Sequence, residues 1–319
     1  MKNLGIILGG VASLLLFSGG RKAQASATPP SKIGPYDGPP VGGTKLGIAE
    51  TTASGDGDGA AWAASLPTEE TPKRDEAILA AVRAGMGNFH WTTVRSSIPG
   101  YDAQVTVMTR VLRIGARNPV RVTVRYDTFQ KIAELLGGAM MTPFVADLTY
   151  KQAKLPLKMQ GRNSWVEDGT MGRTRRMIEY SQQLDALVPR DFDGLVANEG
   201  KHWIVCSRLW NDPQKGWNVQ KSDKWSANYG WWDKGSPNGI MWQTPGLAHN
   251  WGHVDYSQSV FLMGQWAMVN GVICHVGAIL ADKKLCGLLS NEGPLPSWAH
   301  PAFGKSPLPL PYIPPLLGA

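Results

Sequence analysis

Apolar and polar residues recur with two different periods in the first half of the chain. In RDEAILAAVRAG the apolar residues have helical spacing, acidic residues lie near the start and Gly85 follows, which predicts a helix from about Arg74 to Ala84. The stretches AQVTVMTRVLRIG and VRVTVRYD, the second with strict alternation from Val120 to Tyr126, predict two strands. A turn from Ala116 to Pro119 would join them, so the pattern indicates a β-hairpin.

Helical patterns return after the predicted hairpin. TFQKIAELLGGAM is amphipathic and begins with Thr128, a residue type favoured at N-caps, and a second helical stretch lies around ADLTYKQAK. After Leu157, MQGRNSWVEDGTMG has the composition of a loop, whereas RTRRMIEYSQQLDALV again has helical periodicity. Residues 75–193 are therefore expected to form a section of helices and one hairpin.

The pattern changes at Gly194. Short apolar runs, GLVAN, KHWIVCSRLW, GIMWQT and SQSVFLMGQWAMVNGVIC, are separated by Gly, Pro and Asn, which is typical of strands with long connections. A short helix at AILADKKLCGLL would close this part. Residues 194–300 are expected to form a β-rich core with long Trp-rich loops, and the whole fold is predicted to be α+β.

Both ends of the chain differ from this pattern. The apolar run LGIILGGVASLLLF at residues 4–17 and an Ala-x-Ala site at 23–25 predict a signal peptide or a membrane anchor in residues 1–25. The run is shorter than the roughly 20 residues of a spanning helix, which favours export over a permanent anchor. Residues 26–74 are rich in Gly, Pro and Ser and predict an extended arm, and residues 301–319 predict a proline-rich tail that lies on the domain or on a partner.

Composition supports a folded, basic protein. With 43% hydrophobic and 18% charged residues in a chain of 319, there is enough apolar material for a core, which excludes disorder throughout. The formal net charge of +7 suits an anionic partner, such as a wall polymer, an acidic membrane face or nucleic acid. The basic residues are spread along the chain without a recognised nucleic-acid motif, so sequence-specific nucleic-acid binding is not expected.

The three cysteines leave two alternatives open. Cys206, Cys274 and Cys286 have no CxxC spacing of the kind that zinc ribbons and redox pairs use. In an exported protein, Cys274 and Cys286 could form one disulfide. The alternative is three buried free cysteines that behave as small hydrophobic residues.

The stretch AHNWGHVDYSQS contains the candidate site. His249, His253 and Asp255 form an HxxxHxD array, and nearby Gly and Pro argue against a helix. In a loop that leads into a strand from Val254 to Met263, alternation would place His253, Asp255 and Ser257 on one face. That face would be polar and would line a pocket.

Two chemistries and one structural role fit this array. His249, His253 and Asp255 could bind a metal ion, with zinc as one candidate, that activates water. Alternatively, His253 oriented by Asp255 could act as a base without a metal. In the structural alternative, Asp255 and Tyr256 hold a buried turn through backbone amides and His249 caps a loop.

Aromatic and basic residues nearby suggest how a ligand would be held. Nine of the thirteen tryptophans lie between Trp203 and Trp266. Tryptophan in loops suits stacking on sugar rings, which makes Trp232, Trp242 and Trp251 candidate substrate-binding residues, although packing in the core is the other explanation. Lys201 could hold an anionic substrate group or could protect a strand edge from pairing.

Several short motifs in a fixed order resemble a family of secreted bacterial proteins without an established activity. GKHWIV, NYGWW, the His249 segment with VDYSQ, and LLSNEGPL correspond to boxes of the YGWH, PIQ and DYSHG type, over residues 75–296. Three positions depart from the family pattern. Trp232 and Gln258 stand where the family has histidine, and His253 stands where an aromatic residue is usual. If the lost histidines are catalytic in relatives, His253 has taken over the role or the chemistry is lost.

Two functions follow as hypotheses. The first is a secreted or periplasmic hydrolase-like protein of the cell envelope, either free or membrane-anchored, that acts on peptidoglycan or another wall glycan, with His249, His253 and Asp255 at its centre. The second is a non-catalytic structural or binding protein, such as a virion or envelope component, tethered by its N-terminal segment and joined to neighbouring proteins.

Overall fold

A computed structural model describes residues 57–189, 191–211, 225–233, 241–313 and 316. The predicted signal peptide or anchor, and most of the predicted arm, lie outside these residues. Within them, helices combine with mainly antiparallel sheets, which confirms the predicted α+β class. In this part of the chain no helix has both the length and the apolar character that a membrane span requires.

The described helices are α1 (Gly59–Ala64), α2 (Pro72–Arg83), α3 (Tyr126–Leu135), α4 (Pro143–Gln152), α5 (Asn163–Glu167), α6 (Thr174–Asp185) and α7 (Val276–Ala281). The described strands are β1 (Gly87–Asn88), β2 (Trp91–Ile98), β3 (Tyr101–Met108), β4 (Arg113–Ile114), β5 (Val120–Arg121), β6 (Gly138–Ala139), β7 (Leu155–Pro156), β8 (Val196–Ala197), β9 (Lys201–Ile204), β10 (Trp225–Trp232), β11 (Met241–Asn250), β12 (Met263–Val269) and β13 (Val272–His275).

The predicted helices exist, with differences at their starts. Helix α2 begins two residues earlier than predicted because the Thr71 hydroxyl accepts a hydrogen bond from the Arg74 amide and Pro72 occupies the first turn. Helix α3 was expected to begin with Thr128 as its cap, and this is wrong. Thr128 lies buried inside the helix, which begins at Tyr126.

Three smaller predictions need correction. Helix α1 lies within residues that composition assigned to the arm, so the ordered structure begins earlier than residue 74. The stretch predicted as a loop after Leu157 contains helix α5, which buries Trp165. The predicted closing helix is divided into α7 and a short 3-10 turn at Cys286–Leu288.

The predicted hairpin is mostly wrong. Strand β3 pairs along its length with β2, and these two join β12 and β13 in one sheet. Only β4 and β5 form the hairpin around the Ala116–Pro119 turn, through two residue pairs. The alternation in VRVTVRYD does not mark an exposed face, because Arg121 and Thr123 are buried, as are the neighbouring valines.

A second sheet, in the order β11, β10, β9, carries the candidate site. Strands β10 and β11 are antiparallel and β10 also pairs with β9. The strand predicted from Val254 to Met263 is wrong, because β11 ends at Asn250 and β12 begins only at Met263. A loop joins them, and it meets β9 through a bridge between Lys201 and Gln258.

The larger of the two hydrophobic clusters among the described residues extends across both predicted sections. It contains residues from Leu66 to Ile313, including Val105 of β3 and Trp203 of β9. The sections 75–193 and 194–300 therefore fold on a shared core. The cysteines are free and buried, in agreement with the second alternative.

Candidate functional site

The two histidines are brought together by the turn that follows β11. His249, near the end of β11, pairs in register with Ser226 of β10. The turn is closed by a bond of 3.1 Å from the His253 amide to the Asn250 carbonyl, and the Asn250 side chain accepts a bond from the Gly252 amide. The His249 and His253 rings then stack in parallel, with centroids 3.8 Å apart and planes 8° apart.

Asp255 lies beside this pair as a buried carboxylate, 1% exposed. Its Oδ2 is 3.8 Å from His253 Nε2 and accepts a bond of 2.8 Å from Lys201 Nζ. Its Oδ1 accepts bonds of 2.7 Å from the Ser257 amide and 2.5 Å from the Ser257 hydroxyl. Burial alone would raise the pKa of Asp255, but the Lys201 cation and these bonds hold that pKa well below its usual range.

Lys201 has a different role from the two that its sequence position suggested. Its side chain is largely buried, its Nζ pairs with Asp255, and that ammonium group lies 5.1 Å from the centre of the Trp231 ring. Its backbone amide donates to the Ser257 carbonyl at 2.8 Å. Lys201 therefore joins β9 to the histidine loop, and its position fits neither an exposed edge guard nor a free anchor for substrate.

The histidine pair lines an open pocket of about 560 Å³. Trp225, Asn250 and an acidic residue from the other half of the chain, Glu70, also line it. The Glu70 carboxylate rests against Gly172, where an added Cβ would overlap the carboxyl group. Only glycine at position 172 therefore leaves room for Glu70 in its observed place.

Glu70 did not emerge from the sequence. It stands in TEETPKR, where the acidic residues have the pattern of a helix start. Nothing in that stretch indicates a contact with a loop far along the chain.

The charge state of His249 is set by burial. Desolvation lowers the pKa of His249 to about 4, and the neighbouring His253 and Lys201 add to this effect. His249 is therefore neutral at pH 7.

The stack does not have the geometry of a shared metal site. Imidazole lone pairs lie in the ring plane, so in parallel rings 3.8 Å apart they run side by side and do not converge on an ion about 2.0–2.1 Å from each nitrogen. Asp255 already holds Lys201 and Ser257. Among the residues that the structure describes, no group of three His, Cys, Asp or Glu side chains is arranged to hold a metal.

The predicted tryptophans differ in their accessibility. Trp232 is 5% exposed, stacks on Tyr150 and donates to Asp147 at 3.2 Å, so its ring is closed to a ligand. Trp251 stacks on Phe303 with parallel rings. Trp242, on β11, is 64% exposed and is the accessible ring of the predicted three.

Comparison with family models, curated proteins and solved structures gives no match to this chain.

Proposed function

We propose that the pocket at His249 and His253 is the site of a metal-independent hydrolase that acts on a polymer of the cell envelope, peptidoglycan or another wall glycan. One observation carries the proposal. A half-buried histidine lines an open pocket while its Nε2 faces a buried, ionised carboxylate 3.8 Å away. Catalytic hydrogen bonds in unliganded sites are often this long and shorten when substrate binds.

The proposed chemistry assigns the base role to His253. Its Nε2 is buried towards Asp255, so Nδ1 is the nitrogen that can take a proton from an attacking water. Asp255 stabilises the resulting imidazolium, which then returns the proton to the leaving group. Glu70, on the pocket wall, accepts a hydrogen bond from the water or from a substrate hydroxyl.

The substrate class rests on charge and on the predicted export. A net charge of +7 attracts anionic wall polymers, and the exposed Trp242 lies on the same strand as His249. Export to a secreted or periplasmic location would bring the protein to that polymer.

The test is the release of soluble fragments from purified wall sacculi by the full chain. His253→Ala is expected to lower the rate by about 10²-fold or more, the range for loss of a general base. Lys158→Ala removes an exposed side chain outside both cavities and serves as the control. A chelator is expected to leave the rate unchanged. Absence of release by the natural protein, or equal release by His253→Ala, would overturn the proposal.

A second function is favoured by a separate observation. Both Asp255 oxygens have partners within the protein, Lys201 and Ser257, as in a carboxylate that anchors a turn. In this candidate the chain is a non-catalytic virion or envelope component, and His253→Ala changes stability without any activity to lose.

A further inference from the structure

A second cavity, of about 310 Å³, shares no lining residue with the histidine pocket. Two arginines, Arg110 and Arg113, line it together with Asn88, His90, Phe192 and Asp193. Two guanidinium groups on one small cavity are a common arrangement for binding an oxyanion, because each presents paired N–H donors.

Arg113 places a positive charge beside this cavity. Its Nη2 donates to the Asn88 side-chain oxygen at 3.2 Å, and its Nε is buried without a hydrogen-bond partner. Among the described residues no acidic group lies within 4.0 Å of it. An anion in the cavity would therefore be attracted to the unpaired charge of Arg113.

The guanidinium group of Arg110 is held in place by hydrogen bonds to Glu199. Its Nε and Nη2 donate to Glu199 Oε1, and the Val111 amide donates to Glu199 Oε2 at 3.0 Å. Glu199 also pairs with the buried Arg121. Within the described part of the chain Nη1 of Arg110 has no partner, so a fixed guanidinium edge is left for a ligand.

We propose that this cavity binds one oxyanion group, a phosphate or a carboxylate, between Arg110 and Arg113. Phe192 contributes an apolar wall. Asp193 is exposed and also lines the cavity, so its negative charge favours a ligand with low charge over a highly charged one. This site is independent of the function proposed for the histidine pocket.

Calorimetric titration of the full chain at pH 7 and constant ionic strength tests the proposal, with sodium phosphate in one arm, sodium acetate in a second and sodium chloride in a third. Saturable binding of one phosphate or one acetate per chain is expected, without saturable binding of chloride. The phosphate and acetate arms distinguish the two sources of the oxyanion. Absence of saturation in both arms would overturn the site.

Variants locate the binding. Arg113→Gln is expected to weaken the affinity at least about tenfold, since it removes charge-assisted hydrogen bonds. Arg113→Lys keeps the charge without the paired donors and should bind with intermediate affinity. Arg83→Gln removes an equal charge from an exposed position at the end of α2 and should bind as the natural chain does. Unchanged affinity in a folded Arg113→Gln protein, checked by circular dichroism, would disprove the assignment.

Discussion

The ammonium group of Lys201 lies 2.8 Å from the carboxylate of Asp255, although 54 residues separate them in sequence. Both side chains are almost entirely removed from water. A buried pair of this kind contributes little net stability, but removal of one partner leaves an uncompensated charge in a region of low polarity. The pair therefore determines where the histidine loop sits against β9.

Lys201→Met should destabilise the protein by about 3–5 kcal/mol, the usual cost of a broken buried pair. Asp255 would also lose the main group that lowers its pKa. Urea unfolding measures the loss, and Lys158→Met, at an exposed position, is the control. A loss no larger than that of the control would contradict the pairing. In Lys201→Met/Asp255→Asn much of the stability should return.

Stability should fall as the pH is lowered from about 6.5 to about 4. Burial lowers the pKa to about 4 for four histidines: His202, His249, His275 and His300. Between these pH values the unfolded chain binds more protons than the folded one, so the free energy of unfolding rises with pH. Below about 4 these histidines are protonated in both states and add no further loss.

Asp255 affects stability at a lower pH than the histidines do. Its folded pKa lies below the unfolded value, so the stability that it contributes is present above pH 3.8 and is lost as the pH falls through the folded pKa. Urea unfolding at a series of pH values separates the two windows. Constant stability between pH 6.5 and 4 would contradict the assignment for the histidines.

Local patterns predicted the helices better than the strands. Helices α2, α4 and α6 have periodic apolar residues, and Thr71 and Thr142 cap the first two. Alternating residue types predict a strand with one exposed face. Arg121 is instead buried with Asp185 and Glu199 as ion-pair partners, which the alternation does not reveal, so the β-hairpin was misassigned. Pairing of β3 with β2 depends on contacts that no short window contains.

Only those residues of the candidate site that are close together in sequence could be predicted. His249, His253 and Asp255 lie within one short stretch, and the structure places them side by side, with His249 near the end of β11 and the other two in the loop that follows. Lys201 and Glu70 reach the same place from distant segments. Their contacts arise from tertiary packing and leave no mark in the local sequence.

Gly172→Ala should lower the proposed hydrolysis without unfolding the protein. The added methyl group would displace the Glu70 carboxylate, which is the flexible end of a side chain, so the cost in stability should stay below about 1 kcal/mol. Glu70→Gln should lower the rate by about tenfold, as for the loss of one charge-assisted hydrogen bond.

Fragment release from wall sacculi measures both variants, and each has a matched control. Gly161→Ala places a methyl group at ordinary contact distance and should be neutral. Glu69→Gln removes the neighbouring carboxylate, which pairs with Arg173. If Glu70→Gln is impaired and Gly172→Ala is not, Gly172 does not position Glu70.

Arg121→Met should be among the most destabilising substitutions in the protein. Arg121 is fully buried and donates to Glu199 and to Asp185, at 2.7 and 2.6 Å. Its removal leaves Glu199 buried with Arg110 as its remaining cation, which should cost about 3–5 kcal/mol. Lys131→Met breaks an exposed pair on α3 and should change stability by no more than about 0.5 kcal/mol. Urea unfolding measures the free energy of unfolding of both variants. An equal loss in both would contradict a larger stabilising role for the buried Arg121 ion pairs than for the exposed Lys131 pair.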